Sequence, residues 1–468
     1  MEKIAGIGAS SGASTDPGIA MRLDRLPVTR LHAAIVVVCA LGLLFDVVEA
    51  ALSNALSAVF SSPPHQVTPA ELSLLLASVF AGGAVGAPLL GLLADRHGRR
   101  TTLALSLFVL TVTSAFAATS RDVTSLTAFR VLSGLALGAY PPLMVAYLSD
   151  LLPPARRGML ILIAGAIGFL GAPAVIFLIR WLTPLQPFGI EAWRWALGFG
   201  AAGSAIVGVL FYCLPESPRW LAALRRHAAA DAACRQLERS QALMRTADAE
   251  PVAAPAPASE ADSPSDTHSE RFWSAKQGRT HRLRAALLGL LYFLSPWATI
   301  GFPVLSGAVL VEKRFRVSDS LLYVGVGMFG PTIGVLAGAL VIDRFERRAT
   351  LALCGGVMAL IGLAFASSAS PALLMTTGLA FNLVGAIYVA GLSVYAAELF
   401  PTALRASVSS GAWAVNRVAS AVVPLALLPL LKTSGALVMF AVIGTTLLVG
   451  AALVLTLGPR GLAGRPVR

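Results

Sequence analysis

The stretch "GLLADRHGRR", residues 91–100, closes a long apolar run with five ionisable side chains. A second stretch, "IDRFERR" at residues 342–348, has a similar pattern, and its Asp343 corresponds to Asp95 at an offset of 248 residues. A cluster of charges is costly beside membrane-like sequence. The recurrence of this charged cluster therefore indicates a structural or functional role.

The offset recurs in a second, independent motif. The stretch "YLSDLLPPARRG" at residues 147–158 falls on "YAAELFPTALRA" at residues 395–406 when the chain is shifted by the same 248 residues. Two separate motifs that share one offset indicate a chain built from two copies of one half.

The composition is that of a membrane protein. Hydrophobic residues make up 56% of the 468 residues and charged residues only 13%, against roughly a quarter in ordinary soluble domains. Uncharged windows such as residues 102–120 are long enough to cross a bilayer core of about 30 Å as helices. We predict twelve such helices, near residues 31–56, 72–94, 102–119, 125–148, 159–182, 195–214, 284–310, 320–342, 350–368, 372–396, 407–430 and 435–457.

The net charge of +12 would suggest a nucleic-acid partner in a soluble protein. Here the Lys and Arg residues concentrate in the alternate loops that share a side with both termini. The positive-inside rule therefore predicts cytoplasmic termini, a cell (inner) membrane location and no nucleic-acid partner. The four cysteines lack metal-ligand spacing.

The chain divides around one long central loop. Its first part reads as short amphipathic helices, and its Ala/Pro/Ser-rich remainder as a disordered linker. The predicted units are a cytoplasmic tail at 1–30, a six-helix half at 31–214, a cytoplasmic central loop at 215–283, a second six-helix half at 284–457 and a cytoplasmic tail at 458–468.

Four stretches resemble the major facilitator superfamily. "GLLADRHGRR" resembles its loop 2–3 motif, and "RVLSGLALGAY", from residue 130, its fourth-helix Arg-and-glycine motif. "PESPRWL", from residue 215, and "YAAELFPTALR" resemble the subgroup of sugar porters, aromatic acid:proton symporters and organic ion transporters. The resemblance implies an all-α membrane protein of twelve helices in two halves, a transporter and not an enzyme, working as a monomer in the lipid bilayer.

The chain also departs from that pattern. Ala339 and Glu346 replace Gly91 and Gly98 in the second copy of the loop motif, so its loop is expected to turn less tightly. Sugar porters carry glutamines on helices five and seven, whereas this chain has none there, which disfavours a sugar substrate.

The charged loop motifs are predicted to form a cytoplasmic gate. Asp95 ends the second helix, where the resemblance suggests that the N-terminus of helix eleven approaches it across Gly91. The nearby arginines could pair with Asp150 or Glu398, or with anionic lipid; alternatively, the charges only fix the topology. The predicted gate comprises Gly91, Asp95, Arg96, Gly98, Arg99, Arg100, Asp150, Arg157, Asp343, Arg344, Arg347, Glu398 and Arg405.

Four charged residues inside the helices have no charged counterpart in the other half: Asp46, Glu49, Arg130 and Arg417. Asp46 and Glu49 are three residues apart and share a helix face. Asp46 resembles the helix-one Asp of proton-coupled members of the family, and Arg130 its fourth-helix partner. We predict that Asp46 carries the coupling proton with Arg130 as its switchable counter-ion, and that Glu49 shares the proton or lines the cavity; the alternative is a static ion pair.

Arg417 is predicted to bind a carboxylate with its planar fork of donors, with Asn416 as a polar neighbour. It resembles the helix-eleven Arg of aromatic-acid and organic-anion transporters. The alternative is an internal pair with Asp46 or Glu49. The aromatic residues that could stack on a substrate, or could simply pack, are Tyr292, Trp297, Tyr388 and Trp413.

These features predict a proton-coupled symporter that imports a small organic anion, such as an aromatic acid, with the proton as coupling ion and no other cofactor. Three alternatives stay open: proton-driven efflux of drugs or organic cations at Asp46 or Glu49, sugar transport, and a membrane sensor that binds ligand without transporting it. The sequence lacks the Gly-Lys-Ser/Thr phosphate-binding motif of nucleotide-driven pumps.

Deleting residues 250–268 distinguishes a transporter from a sensor. A sensor's extra domain would have to be the segment at 215–283, which is too poor in apolar residues to fold alone. We expect uptake into proteoliposomes to be unchanged by the deletion. Loss of ligand response would instead support a sensor.

Overall fold

The computed structural model describes residues 18–62, 67–245, 275–341, 345–400 and 402–459. Within these ranges the chain is almost entirely α-helical, and eleven helices are long and apolar enough to cross a membrane. The last of them, Gly411–Leu457, is interrupted at Gly435, where φ is 82°. This break makes two spans of one, and the fold has the twelve spans that the sequence predicts.

The first half contains spans 1 to 6, whose ends agree with the predictions to within a few residues. Polar caps start several of them: Thr29 and Thr68 each accept a hydrogen bond from the backbone N–H three residues ahead. The helices are Arg30–Val59; Pro69–His97; Arg99–Ala118; Val123–Leu137 continued by Tyr140–Leu151; Pro154–Phe169 continued by Gly171–Leu182; and Ala192–Phe211.

The second half contains spans 7 to 12 in the same order. Its helices are Ala275–Thr299 continued by Gly301–Glu312; Val317–Gly327 continued by Gly330–Val341; Arg347–Ser367; Pro371–Glu398; and Thr402–Leu457 on either side of Gly435.

Spans 4, 5, 7 and 8 are each broken in the middle, which the sequence prediction of continuous helices missed. In every case the first segment ends four residues before a proline: Pro141, Pro173, Pro303 and Pro331. Proline has no N–H to donate and its ring clashes with the carbonyl four residues earlier. The breaks therefore follow directly from these prolines.

Three short helices form a platform at one end of the bundle: Ile19–Asp24, Pro218–Ala223 and His227–Arg245. Arg22 joins the first to the third through Glu238, at 2.9 Å, and Asp231, at 2.5 Å. We call this end the platform face and the other the far face. The predicted linker after residue 245 lies outside the described residues, and the predicted unit boundaries stay predictions.

Glycines bring spans 2 and 4 into close contact. A Cβ atom on Gly134 would lie 2.2 Å from the carbonyl oxygen of Val79, and one on Gly82 would lie 2.0 Å from that of Val131. The halves then meet where span 1 packs on span 7, span 2 on span 11 and span 5 on span 8. Rigid halves with a shared interface are the basis for rocking motions.

Replacing Gly134 by Ala tests this close packing. The added methyl group has no room against a backbone carbonyl, so we expect a loss of about 1–3 kcal/mol of stability and a lower melting temperature in detergent. Gly356→Ala is the matched control, because a Cβ atom there meets nothing within 4 Å. Equal melting temperatures for the two variants would contradict the packing described.

Candidate functional site

A cavity of about 400 Å³ lies between the halves. Spans 1, 2 and 5 line it from the first half, and spans 7 to 11 from the second. Its walls are mostly apolar, with the aromatic rings of Phe80, Phe169, Tyr292, Phe381 and Trp413. Among its described lining residues one side chain is charged, Arg417. Such a cavity with few polar groups is the usual form of a small-molecule site.

Arg417 and Trp413 lie one helical turn apart on span 11. The guanidinium carbon of Arg417 is 4.8 Å from the centre of the Trp413 ring, within cation–π range. The Arg417 Nε and the Trp413 indole nitrogen are both buried and have no hydrogen-bond partner. Two residues of the cavity wall therefore each carry a buried donor that lacks an acceptor.

Asn416 is held in place by span 7. Its amide nitrogen donates to the carbonyl of Tyr292 and to the hydroxyl of Ser295, each at 3.2 Å. Asn416 and Tyr292 both line the cavity, as the sequence predicts for substrate-binding residues.

Two of the four predicted aromatic residues, Trp297 and Tyr388, do not line the cavity. Trp297 follows Tyr292 by five residues, a turn of roughly 140° around a helix of 3.6 residues per turn, and packs against the hydrophobic core instead. Tyr388 is buried in that same core. The substrate-binding role predicted for Trp297 is not supported by this arrangement.

Glu49 and Arg130 form a buried network inside the first half. The Arg130 Nη1 donates to Glu49 at 3.1 Å, and the hydroxyls of Ser133 and Ser114 donate to the same carboxylate, each at 3.0 Å. The Arg130 Nη2 donates to the hydroxyl of Ser53 at 2.7 Å. Arg130 is 0% exposed and Glu49 1%. The network joins spans 1, 3 and 4. The sequence analysis did not predict a role for its serines.

Asp46 does not share that network, so the predicted pairing of Asp46 with Arg130 differs from the structure. Arg130 points at Glu49, one turn further along span 1. Asp46 is 8% exposed, and its Oδ1 has no hydrogen-bond partner. Of the four unduplicated charges, Glu49 and Arg130 therefore pair within the first half, whereas Asp46 and Arg417 form no ion pair with each other among the described contacts.

At the platform face, the gate residues pair within each half. Arg99 forms an ion pair with Asp150, as predicted. Arg347 pairs with Glu398 at 3.1 Å, and both members lie 248 residues after the first pair. The two halves therefore repeat the same ion pair.

The next arginine in each motif binds the end of a helix. Arg100 donates to the carbonyl of Leu214 at 2.8 Å, at the end of span 6. Arg348, its equivalent, donates to the carbonyls of Leu455 and Gly458 at the end of span 12. A cation at a helix C-terminus is favoured by the helix dipole. These contacts give the arginines a structural role within each half.

Sequence reasoning missed two residues of the "PESPRWL" stretch that complete this region. The carboxylate of Glu216 accepts backbone N–H bonds from Arg100 and Thr101, at the start of span 3. Ser217 donates to Asp150 at 2.6 Å. The sequence identifies this stretch as a motif. It lies more than 100 residues after the "GLLADRHGRR" loop, so the sequence gives no indication that the two are in contact.

The remaining gate predictions have mixed outcomes. Asp95 and Arg96 are exposed, and Gly98 has φ 103°, as a tight turn requires. Arg157 donates to the carbonyl of Leu152 at 3.2 Å. A Cβ atom on Gly91 would meet no described atom within 4 Å, so the predicted close approach of span 11 is not formed in this conformation. Asp343 and Arg344 lie outside the described residues, as does the side chain of Arg405.

Hydrogen bonds between the halves concentrate near the far face. The amide nitrogen of Asn54 donates to the carbonyl of Pro303 and, at 3.2 Å, to the hydroxyl of Ser306. Arg180 donates to the carbonyl of Ser318 at 3.1 Å. Asn54 and Pro303 also line the cavity. The described contacts therefore close the cavity at its far-face end.

Comparison with known proteins agrees with this architecture. A family model described as "Sugar (and other) transporter" matches residues 34–460. The niacin transporter NiaP of Acinetobacter baylyi is 28% identical over 411 residues, 86% of this chain and 88% of its own length. The inner membrane metabolite transport protein YdjE of Escherichia coli is 27% identical over 461 residues, 94% of this chain and 95% of its own.

Among solved structures, the partially occluded inward-open xylose transporter XylE of E. coli has a TM-score of 0.70 at 17% identity, covering 92% of this chain and 98% of its own. The family match and the relatives, together with this fold, define a membrane transporter of the major facilitator superfamily. The chain belongs to the "Sugar (and other) transporter" family and is not an enzyme. The predicted superfamily and fold class are therefore confirmed.

Replacing Glu49 by Ala tests the buried network. Arg130 would keep its charge with no carboxylate beside it, so we expect a loss of about 3–5 kcal/mol of stability, measured as a lower melting temperature. Adding Arg130→Met should restore part of that loss. Glu312→Ala is the control, because it removes a partly exposed pair with Lys432 worth less than about 1 kcal/mol. Equal effects of the two single changes would contradict a buried network.

Proposed function

We propose that this protein is a proton-coupled symporter that imports small organic anions of the aromatic monocarboxylate class. The observation that carries the proposal is Arg417, the one charged side chain among the described lining residues of a mostly apolar cavity, with an unused donor at Nε. A cation in such surroundings gains most from an anionic ligand, because charge-assisted hydrogen bonds are stronger away from water.

The aromatic lining of the cavity favours a flat, apolar body on that anion. Five aromatic side chains form its walls. Planar rings stack on aromatic side chains with offset or edge-to-face geometry, worth about 0.5–1.5 kcal/mol per pair beyond the area buried. The relative NiaP is named a niacin transporter, and niacin is a pyridine ring that bears one carboxylate. Nicotinate and benzoate are therefore suitable test ligands.

Sugars and organic cations fit the same cavity less well. A sugar needs many hydrogen-bonding side chains, but the Asn416 amide already donates to span 7, and the Asn382 amide donates to the carbonyls of Gly327 and Gly378. A cation would meet the positive charge of Arg417. The family description "Sugar (and other) transporter" favours a sugar, whereas the charge of Arg417 in the cavity favours an anion and disfavours a cation.

The proton supplies the driving force in this proposal. Asp46 and Glu49 are carboxyl groups inside the membrane, which are costly there unless they are paired or functional. The excess of Lys and Arg around the termini supports a platform face on the cytoplasmic side of the cell (inner) membrane. An inward proton gradient would then drive import by a monomer, with the described conformation closed toward the outside.

Arg417→Ala tests the proposal. Losing a buried charge-assisted contact costs at least about 2 kcal/mol, so we expect the affinity for nicotinate or benzoate to fall about 30-fold or more. The measurement is counterflow of labelled nicotinate, benzoate, xylose and tetraethylammonium in proteoliposomes. Arg417→Lys should retain part of the activity, because it keeps the charge but loses the planar fork.

Arg121→Ala is the matched control, since Arg121 is exposed near the far face. Unchanged anion counterflow in Arg417→Ala would refute the substrate assignment. Counterflow of xylose or tetraethylammonium in place of the two anions would support the corresponding alternative.

A further inference from the structure

The chain contains three asparagines, and all three line the cavity between the halves: Asn54, Asn382 and Asn416. Each donates from its amide nitrogen to a backbone carbonyl of span 7 or span 8. Their amide nitrogens are therefore engaged by the protein itself. Two of the three carbonyls share a further property, which is that a proline removes their helical hydrogen bond.

In span 7, Pro296 leaves the carbonyl of Tyr292 without its helical donor. A helix residue donates its N–H to the carbonyl four residues earlier, and proline has no N–H to donate. The amide nitrogen of Asn416, from span 11, donates to the carbonyl of Tyr292 and to the hydroxyl of Ser295, each at 3.2 Å. The Ser295 hydroxyl lies 3.4 Å from that carbonyl, which is too long for a strong hydrogen bond. Asn416 therefore supplies the donor that Pro296 lacks.

Span 8 repeats this arrangement with Pro331 and Asn382. The helical partner of Pro331 would be the carbonyl of Gly327, where the first segment of span 8 ends. The amide nitrogen of Asn382, from span 10, donates to that carbonyl at 3.2 Å and to the carbonyl of Gly378 in its own helix at 3.0 Å. Asn382 is buried, and a buried carbonyl without a donor is unfavourable. Each pair thus joins a proline in one span to an asparagine from the span packed beside it.

At the equivalent positions of the first half, 248 residues earlier, the prolines and the asparagines are both absent. The residues there are Val48 and Gly168 for the first pair, and Gly83 and Gly134 for the second. The carbonyl equivalent to that of Gly327 is that of Val79, and a Cβ atom on Gly134 would lie 2.2 Å from it. Gly83 has the N–H that proline lacks, so this carbonyl needs no side-chain donor. At these positions the two halves therefore contain both members of a pair or neither.

We propose that Asn416 and Asn382 are positioning residues for the ligand site. Each replaces the helical hydrogen bond that the proline beside it removes, and so fixes the shape of the cavity wall. Prolines in membrane helices are accommodated when a neighbouring helix satisfies the freed carbonyl. The inference goes beyond the proposed function, because it holds whichever ligand the cavity takes.

The position of Arg417 depends on the contact with span 7. Arg417 follows Asn416 directly, and Trp413 lies one turn earlier on span 11. Because Asn416 anchors this turn to span 7, it limits the rotation of span 11 and fixes where the guanidinium is presented. Tyr292, whose carbonyl accepts the bond, also lines the cavity. Loss of the Asn416 amide should therefore weaken ligand binding as well as stability.

Asn382 acts in the same way on span 8. Met328 and Pro331, on either side of the break, line the cavity, and so does Phe381, the residue before Asn382. The bond from Asn382 to the carbonyl of Gly327 holds the break beside these apolar side chains. A carbonyl that already has a donor does not need water, so the wall stays suited to an apolar ligand.

A rescue experiment tests this assignment. Asn416→Ala leaves the carbonyl of Tyr292 without its donor, so we expect a lower melting temperature in detergent. In counterflow of labelled benzoate, the apparent KM should rise about ten-fold with little change in the maximal rate. Adding Pro296→Ala returns an N–H to that carbonyl and should recover most of both losses. Asn382→Ala and Pro331→Ala should behave as a second such pair.

The crossed pairs are the matched controls. Pro331→Ala supplies its N–H in span 8 and should not rescue Asn416→Ala, and Pro296→Ala should not rescue Asn382→Ala. Equal recovery in matched and crossed pairs, or no recovery in either, would overturn the pairing. If Asn416→Ala is too unstable to purify, recovery of folded protein in its matched pair alone gives the same test.

The KM separates a positioning role from a purely structural one. A wild-type KM in Asn416→Ala would overturn the positioning role, whatever the melting temperature of the variant. Absence of benzoate counterflow in the wild-type protein would count against the proposed function instead. The melting temperatures of the matched and crossed pairs test the pairing without any ligand, so the two failures are distinguishable.

Discussion

An ionised side chain inside a bilayer must have a partner or a polar cavity, and this constraint governs the interior of the protein. Arg130 satisfies it by donating to Glu49 and to the hydroxyl of Ser53, while the hydroxyls of Ser114 and Ser133 donate to the Glu49 carboxylate, all within the first half. These hydrogen bonds link spans 1, 3 and 4. Arg417 lines the cavity between the halves and forms no ion pair with a carboxylate among the described contacts. An arginine with a carboxylate partner stabilises the fold, and an arginine without one is the better candidate for binding a ligand.

The duplicated charges follow a different rule. Arg99 with Asp150, and Arg347 with Glu398, occupy equivalent places in the two halves. Such pairs hold each half together at the platform face. Contacts between the halves, in the described residues, concentrate at the far face instead. The protein can then separate its halves at one end without breaking either ion pair.

Much of this architecture could be read from the sequence. Apolar runs indicated the number of spans, and the offset of 248 residues indicated the duplicated halves. The sequence left both Asp150 and Glu398 open as partners of the loop arginines, and the structure pairs Arg99 with Asp150. The helix breaks were missed because a proline interrupts a helix four residues before its own position.

The partners of the unduplicated charges were harder to predict. Spacing places Asp46 and Glu49 on one face, but only the rotation of span 1 decides which of them meets Arg130. That rotation depends on packing against other spans, which no local pattern encodes. The same limit applies to Trp297, whose direction differs from that of Tyr292 by its position around the helix.

The central claim is that one proton enters the protein with each anion. Calorimetric titration of nicotinate into the purified protein, repeated in buffers of different ionisation enthalpy, measures the protons taken up on binding. At a pH where Asp46 is ionised, wild type should take up close to one proton per anion and Asp46→Asn close to none. Uptake that is absent in wild type, or equal in the two proteins, would contradict the account.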